Sequence, residues 1–185
     1  MVRPKMDFKV QISKLPKNWI VLVSTSAKDY MGVNAKILKY LLSKNASGIY
    51  VTINKPASSV RSYLVKNKVP VSRMYFVDCV SRLMNADTEK AEGVIFVHPQ
   101  NLTGIALAIN EMISAIKGEK FLFFDSLSTL LIYNNVGSVE KFSHFITNKI
   151  RLLNLRGVIL TLEDDMDPKF ATLLNKVCDK VIRAR

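Results

Sequence analysis

The chain has 185 residues, of which 49% are apolar and 23% are charged, and its formal net charge is +12. This composition is typical of one globular domain that buries its core without disulfides or a structural metal ion. No uncharged apolar run approaches the roughly 18–20 residues that cross a bilayer, so composition excludes a transmembrane protein and we expect no membrane partner.

The first 18 residues differ from the rest, because they are basic and interrupted by proline. The alternation over residues 8–12 (Phe-Lys-Val-Gln-Ile) predicts an edge strand or a loose arm that closes the sheet. An alternative is a strand donated to a neighbouring subunit. We therefore expect residues 1–18 to be a basic N-terminal arm or edge strand, and residues 19–185 to be a single domain.

Short runs rich in Val, Ile and Phe alternate with helical periodicity along the rest of the chain. The runs predict strands at 19–24, 48–53, 74–78, 94–97, 120–124, 157–162 and 178–183. The amphipathic segments predict helices at 32–44, 57–67, 101–117, 139–154 and 168–176. For two of the helix starts we predict Gly137-Ser138 and Asp167 as caps. This alternation predicts an α/β fold, a three-layer sandwich with a mostly parallel sheet and helices on both faces.

Several cysteine, histidine and acidic residues could in principle bind a metal ion or react, but a structural role is expected for each. Cys79 and Cys178 lie in apolar stretches and are expected to be buried and reduced in a cytoplasmic protein. The only histidines, His98 and His144, form no cluster with cysteine, so we expect no metal site. The acidic run at 163–167 lacks the spacing of a calcium loop and is expected to be a solvated helix entrance.

Charge is distributed unevenly between the two parts of the chain. Residues 1–73 carry 14 Lys and Arg but two Asp and Glu, whereas residues 74–185 carry 13 of each. One acid-free stretch around a predicted helix contains Lys55, Arg61, Lys66, Lys68 and Arg73. It is a candidate surface for tracking phosphates, and the alternative is an ordinary solvated helix face.

Five segments, in their order and spacing, resemble the RecA/KaiC-like P-loop ATPase superfamily, and small archaeal-type KaiC-like domains in particular. They are Ile-Tyr-Val-Thr-Ile-Asn-Lys-Pro at 49–56, Pro-Gln-Asn-Leu-Thr at 99–103, Asp-Ser-Leu-Ser-Thr-Leu-Leu at 125–131, Gly-Val-Ile-Leu-Thr-Leu-Glu at 157–163 and Cys-Asp-Lys-Val-Ile at 178–182. The resemblance implies a RecA/KaiC-like core with its ligand site at the carboxyl ends of the strands.

The resemblance also implies roles at the nucleotide site, which this sequence does not fill. Where the family has Gly-Lys-Thr in its phosphate loop, this chain has Tyr30, Met31 and Gly32. Where the family has a glutamate that activates water, it has Asn54, and an amide cannot act as that base. Asp125 matches the carboxylate beside Mg²⁺. The positions that correspond to a nucleotide site are Thr25, Ser26, Lys28, Tyr30, Met31, Gly32, Asn54, Asp125 and Ser126.

These departures predict a catalytically inactive relative that serves as an interaction or regulatory module without ATP hydrolysis. We expect no catalytic residue and no cofactor, and a protein partner or self-association, with the N-terminal arm as one candidate contact. Two alternatives stay open. One is a nucleotide-binding protein or ATPase with an unorthodox phosphate loop that uses Lys28 or Lys36. The other is a nucleic-acid-binding accessory protein of the recombinase type.

Overall fold

A computed structural model describes residues 7–84, 91–162 and 168–184. Its strands are β1 (Ile20–Thr25), β2 (Ser47–Thr52), β3 (Met74–Asp78), β4 (Val94–Phe96), β5 (Lys120–Asp125), β6 (Arg156–Leu162) and β7 (Lys180–Ala184). Its α-helices are α1 (Phe8–Ile12), α2 (Tyr30–Leu42), α3 (Ala57–Lys66), α4 (Leu102–Ala115), α5 (Val136–Leu152) and α6 (Pro168–Val177). From residue 19 onward, every strand and helix predicted from the sequence is present, with ends that shift by no more than three residues.

The strands form one sheet in the order β4-β3-β2-β5-β6-β1-β7, and every pairing in it is parallel. Successive side chains of a strand point to opposite faces, and here both faces are covered. Phe121 and Phe123 of β5 pack in the core under α1, α2 and α3, whereas Leu122 and Phe124 pack in the core under α4, α5 and α6. The predicted three-layer α/β sandwich is therefore confirmed.

The N-terminal segment is the main correction to the predicted elements. Residues 8–12 form the short helix α1 rather than an edge strand or a loose arm. In a helix, residues four apart share a face, so Phe8 and Ile12 can both be buried against the core. Phe8 packs edge-on against Trp19 and Tyr40. The apolar alternation therefore reflects one helical face and not a strand.

Helix α5 begins earlier than predicted. Asn135 is its N-cap, because its side-chain oxygen accepts a hydrogen bond of 2.9 Å from the backbone N–H of Ser138. The Gly137-Ser138 pair therefore lies inside the first turn. Asn135 satisfies a donor that the helix itself leaves unpaired.

Cys79 and Cys178 are free and buried, as predicted. None of the helices in the described part of the chain is long and apolar enough to cross a membrane. The acidic run at 163–167, with the predicted cap Asp167, and residues 1–6 of the N-terminal arm lie outside the described residues.

Candidate functional site

Buried polar side chains gather at the carboxyl edge of the sheet. Because all strands are parallel, their last residues meet there. Thr25 ends β1, Thr52 ends β2, Asp78 ends β3 and Asp125 ends β5, and each is completely buried. Ligand sites of open α/β sheets lie at this edge, so these residues define the candidate site.

The carboxylate of Asp125 is held by donors from three other segments. The Tyr50 hydroxyl of β2 donates a short hydrogen bond to Oδ2. The Asn34 amide of α2 donates to the same oxygen at 3.2 Å and to the Tyr50 hydroxyl at 2.9 Å. The Asn54 amide donates to Oδ1 at 3.3 Å. Both oxygens therefore accept hydrogen bonds from this chain's own side chains.

Burial dominates the electrostatics of this cluster. It raises the pKa of Asp125 from 3.8 to about 6, although the hydrogen bonds from Tyr50 and Asn54, the charge of Lys55 and the hydrogen bond from Asn34 act in the opposite direction. Burial, and then the nearby negative charge of Asp125, raise the pKa of Tyr30 and of Tyr50. Both phenols are therefore neutral at physiological pH, and the hydroxyl of Tyr50 donates to Asp125.

Asn54 links Asp125 to the segment that follows β5. Its side-chain oxygen accepts a hydrogen bond of 2.7 Å from the hydroxyl of Thr129, while its nitrogen donates to Asp125. The hydroxyls of Ser126 and Ser128 lie 2.8 Å apart and both residues are buried. The polar groups after β5 thus bond to one another and to Asn54, which follows β2.

The loop between β1 and α2 comprises residues 26–29 and contains no glycine. It closes on itself, because the Ser26 hydroxyl donates to the Asp29 carboxylate at 2.8 Å and the Asp29 N–H donates to the Ser26 carbonyl at 3.2 Å. Lys28 is exposed at its tip. Helix α2 starts directly afterwards at Tyr30, without a side-chain cap.

The first turn of α2 lies over the Asp125 cluster. Tyr30 is only 8% exposed, and its hydroxyl has no hydrogen-bond partner among the described residues. Met31 packs at the margin of the core. A Cβ on Gly32 would lie 4.0 Å from the Tyr63 hydroxyl of α3, an ordinary contact. The structure thus brings Tyr30 close to Asp125, while Lys28 stays outside the cluster.

Asp78 is a buried acid that sequence analysis missed. Its carboxylate accepts hydrogen bonds from the backbone N–H groups of Ala57 at 2.8 Å, Val80 at 2.8 Å and Ser81 at 2.9 Å. It therefore fixes the start of α3 and the turn after β3. The signal was available, because residues 74–78 are an apolar strand that ends in aspartate, as residues 120–125 are.

Asn34 and Tyr50 were also missed as site residues. Apolar residues surround both of them in the sequence. Asn34 lies on the buried face of α2, and Tyr50 lies in the middle of a buried strand. A single buried amide within a helix of Leu, Ile and Val is a signal for a hydrogen-bonded core position.

The predicted basic surface is divided between two edges of the sheet. Lys55 lies at the carboxyl edge, just before α3, whereas Lys66 and Lys68 lie where α3 ends, at the amino edge. Arg61 lies with its guanidinium 5.1 Å from the Phe76 ring centre. Arg73 donates to the Leu42 carbonyl at 3.0 Å. These side chains do not form one continuous track, and their role as a binding surface stays a prediction.

Within residues 7–84, 91–162 and 168–184, no three His, Cys, Asp or Glu side chains come close enough together to hold a metal ion.

Comparisons with known proteins place this geometry in context. The fold is similar to that of a KaiC-like protein from the hyperthermophilic archaeon Pyrococcus horikoshii OT3, with a TM-score of 0.68 and 13% identity over 97% of this chain and 77% of that one. It is also similar to an uncharacterized protein of Pyrococcus horikoshii solved in complex with an unknown peptide, with a TM-score of 0.65 and 14% identity over 96% of this chain and 81% of that one. At such identities the likeness shows a KaiC-like fold alone.

No curated protein matches the chain. One family model covers residues 21–184. The chain therefore belongs to DUF7504, a family of unknown function.

Proposed function

We propose that this chain is a catalytically inactive KaiC/RecA-like domain that acts as an interaction or regulatory module without ATP hydrolysis. The observation that supports this most strongly is the state of Asp125. Its two carboxylate oxygens accept hydrogen bonds from Tyr50, Asn34 and Asn54, and the residue is completely buried. In a nucleotide hydrolase the corresponding carboxylate faces Mg²⁺ and its water shell.

The phosphate-binding side of the site supports the same proposal. Phosphate loops offer backbone N–H groups from a glycine-rich turn, a lysine and a hydroxyl. The loop at 26–29 has no glycine, closes through Ser26 and Asp29, and leads into the bulky Tyr30. The residues present do not fit a nucleotide with its magnesium ion.

The position of the expected general base argues against hydrolysis as well. Both polar atoms of the Asn54 side chain form hydrogen bonds. The nitrogen donates to Asp125, and the oxygen accepts from Thr129. A neutral amide cannot take a proton from water. In this proposal the former catalytic position now stabilises the fold.

Isothermal titration with ATP and MgCl₂ tests the proposal. We expect no heat of binding and no phosphate release, in the wild type and in the Lys28→Ala and Lys36→Ala variants alike. Binding at micromolar strength with turnover would refute it. If that binding were lost in the lysine variants, the protein would instead be a nucleotide-binding protein or ATPase with an unorthodox phosphate loop.

A further inference from the structure

The amino edge of the sheet, opposite the Asp125 cluster, carries two adjoining cavities. One, of about 580 Å³, lies between the segments that lead into β1, β5 and β6, and Asn18, Lys120 and Asn154 line it. The other, of about 390 Å³, extends to Tyr40 of α2 and to Lys44, which follows that helix. Lys17, Glu119 and Arg156 line both. We call the two cavities together the amino-edge groove.

The amino-edge groove is basic. Among the described residues that line it, Lys17, Lys44, Lys120 and Arg156 stand against a single acid, Glu119. The first two come from the basic residues 1–73, and the other two come from the remainder, whose formal charge is zero. Only the fold brings these charges together. Positive charges concentrated along a cleft attract anionic partners and speed their association.

The groove already holds one carboxylate of its own. Glu119 Oε1 lies 3.3 Å from the Lys17 ammonium, and its Oε2 contacts the guanidinium of Arg156. The side chains of Lys17 and Glu119 are 87% and 49% exposed. Exposed ion pairs of this kind contribute little, so an incoming carboxylate can replace Glu119 at Lys17. The Arg156 side chain is 15% exposed, and it offers its guanidinium from the wall of the groove.

The rest of the lining distinguishes a peptide from a nucleic acid. Leu15, Pro16 and Leu153 add apolar surface. Single-stranded nucleic acids require exposed aromatic faces for stacking. Here Trp19 is only 4% exposed, and the ring of Tyr40 contacts Phe8 edge-on at 6.0 Å and the Lys44 ammonium at 5.7 Å. Basic and apolar groups, with Trp19 buried and Tyr40 half-buried, favour an acidic peptide.

We infer that the amino-edge groove is the docking site for an acidic segment of a partner protein. Its carboxylates pair with Lys17, Lys120 and Arg156, and an apolar side chain packs on Leu15 and Pro16. This inference rests on the proposed function as an interaction module and specifies the chemistry of the partner.

Fluorescence anisotropy with a fluorescein-labelled peptide of alternating glutamate and leucine tests this inference. We expect binding that weakens as salt is raised. Lys17→Glu and Lys120→Glu should each weaken it about tenfold, because they place like charges in contact. The matched control Lys28→Glu changes the net charge equally at the opposite edge and should alter the affinity by less than about twofold.

A second pair of variants works in the other direction. Glu119→Gln removes the internal competitor and should tighten binding by about threefold or more. Glu111→Gln, which removes an exposed carboxylate of α4, is its control. Because Lys17 is so exposed, its variant should fold, and Trp19 fluorescence verifies this.

Three results would overturn the inference: no binding at low salt, equal weakening by Lys28→Glu, or tighter binding of an oligothymidylate of equal charge. The last would assign the groove to nucleic acid. The ATP titration concerns the opposite edge, so nucleotide binding with turnover would refute the inactive module while leaving the peptide result in place.

Discussion

Replacing Asp125 with asparagine removes a buried negative charge and keeps the shape of the side chain. Two effects of opposite sign follow. The variant loses hydrogen bonds to a charged acceptor from Tyr50, Asn34 and Asn54, each of which contributes about 1.5–3 kcal/mol at most. It also avoids the cost of burying a carboxylate. Because these effects oppose each other, the pH dependence is more informative than the stability at one pH.

The magnitude follows from the pKa of Asp125, which burial raises from 3.8 to about 6 in the folded protein. Since the folded pKa is the higher one, protonation favours the folded state. Wild-type stability is therefore lost as the pH rises through the interval between these two values. From about pH 5 to about pH 7.5 the loss due to this carboxyl is about 1.4 kcal/mol, a factor of roughly ten in the folding equilibrium.

Urea unfolding followed by the fluorescence of Trp19, the single tryptophan, measures this effect. Relative to the wild type, Asp125→Asn should gain about 1.4 kcal/mol in free energy of unfolding between the lower and the higher pH. Glu111→Gln removes an exposed carboxylate, so it shows how much of the change in free energy of unfolding comes from net charge alone. An identical difference between Asp125→Asn and wild type at both pH values would show that the pKa of Asp125 is not raised.

Three further substitutions test the packing of the site and the sheet. Tyr50→Phe should cost about 1–3 kcal/mol, because it removes the hydroxyl that donates to Asp125; no loss in urea unfolding would show that this bond is weak. Gly48→Ala should cost about 1–3 kcal/mol, because its Cβ would collide with the Phe121 ring, and an unchanged melting temperature would contradict the packing. Gly137→Ala, in the open first turn of α5, should instead stabilise the protein by about 0.5–1 kcal/mol.

Local patterns could predict the elements because each depends on neighbours a few residues away. The stripe Ile105, Ile109 and Met112 is buried in α4 as its spacing requires. The same reasoning failed at residues 8–12, where five residues fit a period of two and a period of four equally well. Only the packing of Phe8 against Trp19 and Tyr40 selects the helix.

At the candidate site, too, local sequence predicts one part and contacts between distant segments determine the other. The sequence pointed to Asp125 because a carboxylate that ends an apolar strand is a local pattern. Of the three residues that donate to Asp125, it placed only Asn54 at the site. Tyr50, Asn54 and Asn34 lie 75, 71 and 91 residues away along the chain. They meet Asp125 because β2 pairs with β5 and α2 packs over both strands.

By itself, the sequence determined the layered α/β class, the burial of both faces of the sheet and the absence of glycine from residues 26–29, since hydrophobic period and turn chemistry act over short distances. Tertiary structure decided the strand order, and with it two features that no single segment contains. One is the buried carboxylate of Asp125 with its hydrogen bonds at the carboxyl edge. The other is the cluster of positive charges from Lys17, Lys120 and Arg156 at the amino edge. Hydrogen bonds and Coulomb forces act between groups that are close in space, and only the folded chain makes these residues neighbours.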